Sequence, residues 1–169
     1  MNKDFNKLYN AFCPGPITFV LKKKKNSKIS KIATAGKKTV AVRIPKHKVA
    51  RNLLNIIKFP VAAPSANISS KLSPTSAKDV KEEFGNKVKL VLDGGQSMVG
   101  IESTIVNLIN KPQVLRLGGV TKNQIKKYLN SHLVYKNKSN INSPGQGKTH
   151  YSPYIKLRMN VKKANRNEA

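Results

Sequence analysis

Pro14-Gly15-Pro16-Ile17-Thr18-Phe19-Val20-Leu21 places a turn directly ahead of a run of β-branched, aromatic and aliphatic residues. Proline and glycine fix the turn, and the run predicts a strand over Ile17 to Leu21. Thr39 to Arg43 predicts a second strand. Lys22 to Lys38 between them is rich in Lys and Ser and reads as a solvated excursion with room for a short helix. After Pro45, Val49, Leu53, Leu54 and Ile57 recur at helical spacing and predict a helix with one buried face. Pro60 to Ala63 reads as a short buried strand running into the turn-forming Pro64-Ser65-Ala66-Asn67.

Farther out, Ser76 is placed to cap a helix to about Phe84, with Asp79 in its first turn and Gly85 as its stop. Lys89 to Leu92 predicts a strand that ends at Asp93-Gly94-Gly95. Thr104 to Ile109 and Gln113 to Leu117 predict a hairpin turning at Asn110-Lys111-Pro112. Thr121 and Gln124 form a capping box that opens a helix to about Leu129. Beyond Ser131 the chain turns polar and loop-like. The expected fold is α/β: a twisted mixed sheet with flanking helices, about 130 residues, then a tail.

Composition narrows the function classes. The chain has 169 residues, 38% of them hydrophobic, and no apolar run long enough to cross a bilayer. Its start lacks the apolar core of a signal peptide, so a cytoplasmic location and no membrane partner are expected. Cys13 is the single cysteine, which excludes an internal disulfide and a cysteine metal cluster and reads as a packed thiol. Thirty-three basic residues against seven acidic ones give a net charge of +26. That excess draws polyanions such as nucleic acid or nucleotide phosphates. Most of the basic residues are lysine and asparagine is abundant, the usage an AT-rich coding sequence gives, so solvated surface accounts for part of the charge.

No Ser-His-Asp order, zinc spacing, Walker A sequence or GxGxxG is present. Gly118-Gly119 precedes a helix but lacks a phosphate-loop lysine. What remains is a set of polar residues at strand ends and turns: Thr39 and Arg43, Ser65 and Asn67, Ser73, Ser103 and Thr104, and Arg116. Ligands bind at strand ends in open α/β sheets, and these residues converge if their strands are neighbours. Singly, Ser65-Ala66-Asn67 reads as a turn and Arg43 as a surface ion-pair partner.

In order along the chain, these blocks resemble the Sua5/YciO/YrdC family. Pro14 to Leu21 is similar to its PGP strand, and Val40-Ala41-Val42-Arg43-Ile44-Pro45 to its V-x-V-R-x-P strand. Ala63-Pro64-Ser65-Ala66-Asn67 followed by Ser73-Pro74-Thr75 resembles APSAN…SPT. Gly100-Ile101-Glu102-Ser103-Thr104-Ile105-Val106 resembles G-x-E-S-T-V-V, and Arg116-Leu117-Gly118-Gly119 resembles R-x-G-x. A sixth block, Ser143 to Pro153, resembles the SPGM-x-x-x-HYAP linker of the two-domain Sua5 branch, with Gln146 in place of Met and Ser152 in place of Ala. This division gives a YrdC-like domain over 1–131, an interdomain linker over 132–155 and the start of a truncated C-terminal domain over 156–169.

The resemblance implies an L-threonylcarbamoyladenylate synthase, a nucleotidyltransferase. It would join L-threonine, bicarbonate and ATP, with Mg2+ carried by the ATP phosphates, and release pyrophosphate. A partner complex would then pass the threonylcarbamoyl group to an adenosine of tRNAs that read ANN codons, the t6A modification. Position by position, it implies Arg43, Ala63 and Ser103 for L-threonine. It implies Thr39, Ser65, Ser73, Arg116 and Tyr151 for ATP, with Asn67 and His150 as further candidates. It implies no metal-ligating residue, and no catalytic residue is assigned. The T-D-T-x-Y-G-L stretch and K-x-R motif with which the family begins are not found ahead of the Pro14-Gly15-Pro16 turn. The expectation is an N-terminally truncated domain with little or no synthase activity alone, poor solubility, and a companion fragment as a candidate partner. Three readings stand beside it: a module binding double-stranded RNA or tRNA without chemistry, a carbamoyl-adenylate domain of hydrogenase maturation type, and an inactive remnant. The single cysteine argues against the second, because those proteins carry cysteine-rich zinc modules.

Overall fold

The computed structural model describes residues 3–69, 71–129, 133–135, 160–163 and 166. Its centre is β1 (Ile17–Lys22), which leaves the Pro14-Gly15-Pro16 turn where the sequence predicts. In β1, Ile17 and Phe19 are buried while Thr18 and Val20 are half-buried, the alternation of a strand with one packed face. β1 pairs antiparallel with β2 (Thr39–Arg43) and parallel with β3 (Thr104–Asn107). β3 turns back into β4 (Gln113–Arg116), and a two-residue β5 (Val134–Tyr135) lies parallel to β4. The order β2-β1-β3-β4-β5 makes the expected mixed sheet.

The packed face is covered by α1 (Lys3–Phe12) and α4 (Lys122–Lys126). The sequence reading did not anticipate α1. Its Leu8 is fully buried, and Phe5 and Phe12 pack against the same core. Phe5, Leu8 and Phe12 at i, i+3 and i+7, with Asp4 in the first turn, are the helical signal that marks it. Ile17, Phe19, Val106, Leu108, Val114, Val120 and Ile125 complete the centre of the core. Cys13 packs against this cluster, and burial raises its thiol pKa, which fits a packed neutral thiol.

The predicted Ser76 cap forms, completed by Asp79 into a capping box, and so does the predicted capping box of Thr121 and Gln124. Ser76 Oγ accepts from Asp79 N at the start of α3 (Ala77–Phe84), and Thr121 Oγ1 accepts from Gln124 N at the start of α4. α3 ends at Gly85, whose φ of 51° is a left-handed value that suits glycine. α4 stops short of the expected Leu129. Tyr128 N and Leu129 N reach back three residues, to Ile125 O and Lys126 O, so the last turn tightens out of α geometry. β5 forms where loop was expected, held by Val134 N donating to Pro112 O. The Lys22–Lys38 excursion contains turns and no helix.

The stretch between β2 and β3 departs most from the sequence reading. α2 (Lys48–Ile57) forms as predicted, but it buries no residue, and Leu53 and Ile56 are exposed. Its apolar stripe exists, but Val49, Leu54 and Ile57 on it are only half-buried. The strands expected over Pro60–Ala63 and Lys89–Leu92 do not form. An isolated extended segment has no ladder in which to satisfy its N–H and C=O groups, so apolar content alone does not make it a strand. Between Phe19 and Ser103, Thr34 is the only buried residue described.

Candidate functional site

The sheet face opposite the helices gathers polar side chains into one row. Register pairs Thr18 with Arg43 on one side and with Ile105 on the other, and Ile105 with Arg116. Arg43, Thr18, Ile105 and Arg116 therefore lie in line across four strands, the two arginines about 14 Å apart at the backbone from strand spacing. A bulge at Ile105/Val106 leaves Leu115 outside the regular pairing beside Arg116. Bulges re-aim side chains at strand ends in this way.

Ser103, buried just before β3, is the hub of the row. Its hydroxyl lies 2.8 Å from Thr18 Oγ1. Arg116 donates to the Ser103 carbonyl from Nε at 3.1 Å and from Nη2 at 2.9 Å, and Nη2 also reaches Ser103 Oγ at 3.1 Å. Glu102 places Oε2 3.6 Å from Arg116 Nη2, and its Oε1 accepts from the Ser73 hydroxyl at 2.8 Å. Ser73, Glu102, Ser103, Thr18 and Arg116 are thus one connected network. Charge-assisted bonds of this kind hold side chains more firmly than neutral ones.

Glycine and threonine make the loop beneath the network. A Cβ on Gly118 would run into Glu102 O and would sit 2.6 Å from Ser103 C. One on Gly119 would sit 2.8 Å from Pro16 Cβ. Gly119 N donates to Glu102 O at 2.9 Å, which closes the loop over the strand end. The buried Thr104 hydroxyl donates to Val120 O at 2.6 Å and accepts from Val120 N. The glycines act by letting backbone approach backbone, which explains their place ahead of α4 without a phosphate-loop lysine.

The structure brings Ser73, Ser103 and Arg116 together and sets Arg43 in their row, exposed at the end of β2. Thr39 sits at the other end of β2, paired with Lys22, about 13 Å along the strand from Arg43. Ala63 and Ser65 lie exposed on the segment after α2. Asn67 donates from Nδ2 to Ile68 O and Lys71 O at 3.0 Å each, and its shielded Oδ1 has no partner among the described residues. Tyr151 and His150 lie outside the described residues. Thr18 and Glu102 were missed by sequence reasoning. Thr18 looked like an ordinary strand residue, and both depend on contacts with residues 29 to 85 positions away.

Among the described residues no three His, Cys, Asp or Glu side chains converge as a metal-binding group, and no helix is long and apolar enough to cross a membrane. At one end of the row Arg43 is exposed, while at the other Arg116 already donates to Ser103 and faces Glu102.

A family model named Sua5_yciO_yrdC, described as telomere recombination, matches residues 1–118. The threonylcarbamoyl-AMP synthase of Pyrococcus abyssi is 40% identical over 152 residues, which are 86% of this chain and 44% of that protein. The threonylcarbamoyl-AMP synthase of Schizosaccharomyces pombe is 40% identical over 163 residues, 89% of this chain and 40% of that one. The crystal structure of P. abyssi Sua5 complexed with L-threonine matches with a TM-score of 0.83 and 38% identity, covering 90% of this chain and 46% of that chain. The chain spans less than half the length of these relatives.

Proposed function

The chain belongs to the Sua5/YciO/YrdC family, and on that premise we propose that it carries the L-threonine- and nucleotide-binding face of a threonylcarbamoyl-AMP synthase. The observation that carries this reading is the row from Arg43 to Arg116, two cations flanking a floor of Thr18 and Ser103. A relative with the matching fold is complexed with L-threonine.

In this reading Arg43 pairs with the amino-acid carboxylate, and Ala63 contributes through its backbone. Ser103 and Thr18 face the amino acid, while Thr39, Ser65, Ser73, Arg116 and Tyr151 serve ATP. The shielded Asn67 Oδ1 suits a ligand N–H or O–H, and His150 is a further candidate to close on the nucleotide. The threonine nitrogen first bonds to the bicarbonate carbon as a C–O bond breaks and water leaves. An oxygen of the resulting carbamate then bonds to the α-phosphorus as the bond to pyrophosphate breaks. Such a transfer needs alignment and charge neutralisation, which hydroxyls and guanidinium groups supply without a nucleophilic side chain. Mg2+ would enter as an ion carried by the triphosphate. The product would pass to the complex that modifies tRNA.

The test is calorimetric titration of the 169-residue chain with L-threonine, then with ATP and Mg2+. Arg43→Ala is expected to weaken L-threonine binding by about ten- to a hundredfold, the worth of a charge-assisted contact, and to leave ATP binding in place. An affinity for L-threonine that Arg43→Ala leaves unchanged would overturn the assignment.

A second reading, an RNA-binding surface, is favoured by the Lys22–Lys38 excursion. Eight of its seventeen residues are lysine and none is acidic. Its turns are braced by Gly36 N on Lys31 O and by Lys37 N on Thr34 O. Duplex RNA binding that falls steeply with salt, without dependence on L-threonine or ATP, would support this surface.

A further inference from the structure

Ser73 and Arg116, both read above as nucleotide residues, come from parts of the chain with unequal support. Arg116 stands at the end of β4, and its guanidinium is tied to Ser103 by three hydrogen bonds. Ser73 lies half-buried on the segment between α2 and α3, in the stretch that supplies almost nothing to the core. Among the described residues, its bond to Glu102 is the one side-chain hydrogen bond that joins residues 45–101 to the rest of the chain. Glu102 is itself well fixed. Its carbonyl accepts from Gly119 N at 2.9 Å, and Gly118 passes so close that a Cβ there would run into it. The side chain then reaches two ways, with Oε1 2.8 Å from the Ser73 hydroxyl and Oε2 3.6 Å from Arg116 Nη2.

We propose that Glu102 is a positioning residue for the nucleotide. Its carboxylate holds the Ser73 hydroxyl beside the Arg116 guanidinium, so that the two meet the phosphates of a nucleoside triphosphate together, and it does not itself touch the nucleotide. This role rests on the nucleotide reading of the row given above. Charge singles it out. A carboxylate next to a phosphate site repels the ligand, so as a bare neighbour Glu102 works against ATP. The Glu102 and Arg116 side chains are 27% and 13% exposed, which leaves that repulsion only partly screened by solvent. A carboxylate in this place favours binding only through the groups it holds, and Ser73 is the group that Ser103 does not hold. Fixing the hydroxyl before the ligand arrives removes the cost of ordering it on binding.

Calorimetric titration of the full 169-residue chain with ATP and Mg2+, and separately with L-threonine, is run on the unaltered chain, Glu102→Ala and Glu102→Gln. Glu102→Ala is expected to weaken ATP binding by about tenfold or more. It should leave L-threonine binding within about twofold, since Thr18 still holds the Ser103 hydroxyl. Glu102→Gln, whose amide oxygen still accepts from Ser73, is expected to recover ATP binding to within about threefold of the unaltered chain. A bare neighbouring charge would give the reverse, tighter ATP binding in both variants, and would overturn the proposal. Loss of both ligands together, or a Gln variant as weak as the Ala variant, would overturn it too. Amide exchange on the ligand-free proteins separates this role from the proposed function. Glu102→Ala should speed exchange over residues 71–75 by about fivefold or more while β1 and β3 keep their protection. An unaltered chain that binds no ATP, with that faster exchange present in Glu102→Ala, would overturn the proposed function and keep the hold of Glu102 on Ser73. Unchanged exchange would overturn the hold itself.

Discussion

The two halves of this molecule have similar apolar content and opposite fates. One half, α1 with β1, β3, β4 and α4, buries Leu8, Ile17, Val106, Val114 and Ile125 completely. The other, from α2 through Ile101, contains helices of correct amphipathic spacing and buries nothing. The difference is not propensity. In the first half every apolar face meets another across a sheet. In the second the faces are made and stay at best half-buried. Secondary structure needs only local consistency, whereas a core needs a second layer.

Mutation should divide the halves most clearly. Leu8→Ala or Ile17→Ala is expected to cost about 2–5 kcal/mol in denaturant unfolding, while Ile56→Ala should move stability by less than about 0.5 kcal/mol. Equal costs would break the comparison. Gly118→Ala comes next, at about 1–3 kcal/mol, because its Cβ must displace the backbone at Glu102 and Ser103. The same variant should weaken ATP binding, since Ser103 anchors Arg116. Calorimetry on the folded variant checks this. Ser76→Ala should cost about 1 kcal/mol of local stability in α3, read as faster amide exchange there and not in β1.

Acid gives the smallest and sharpest contrast. The Asp79 carboxylate accepts from Thr75 N, then from the Ser76 side chain and backbone, and these bonds hold its pKa below the usual aspartate value. A depressed folded pKa contributes stability that is complete above the unfolded value of about 4 and is lost as pH falls through the folded one. The cap of α4 uses Gln124, which does not titrate in this range. Acidification below about pH 4 should therefore fray α3 before α4. Amide exchange across a pH series, corrected for intrinsic rates, reads the order, and simultaneous fraying would refute it.

Much of this was legible in the sequence, for reasons residue by residue. β1 and β2 were marked by the Pro14–Pro16 turn and by β-branched runs, the start of α3 by Ser76, and that of α4 by Thr121 and Gln124 three apart. Arg43, Ser73, Ser103 and Arg116 were picked out by resemblance. Their placement needed the register that puts Thr18 between Arg43 and Ile105. Glu102 stayed hidden because its partners, Ser73 and Arg116, come from different parts of the chain. Pro60–Ala63 and Lys89–Leu92 misled because their composition suits strands, and composition says nothing of a neighbour. α1 was overlooked although Phe5, Leu8 and Phe12 carried its spacing.

The parallel pairing of β1 with β3 also sets a timetable. Thr18 finds Ile105 only after the intervening residues have been made, and Ser103, Val106, Val114 and Ile125 all follow them. A chain growing from the ribosome therefore carries Ile17 and Phe19 through the 85 positions from Thr18 to Ser103 with little beyond α1 to shelter them. Long-range closure of this kind is slow and leaves apolar surface open to chaperones or aggregation. The hairpin at Asn110-Lys111-Pro112, short and local, can form as soon as it emerges. It then offers β3 to the waiting β1, and that pairing is the step that commits the fold.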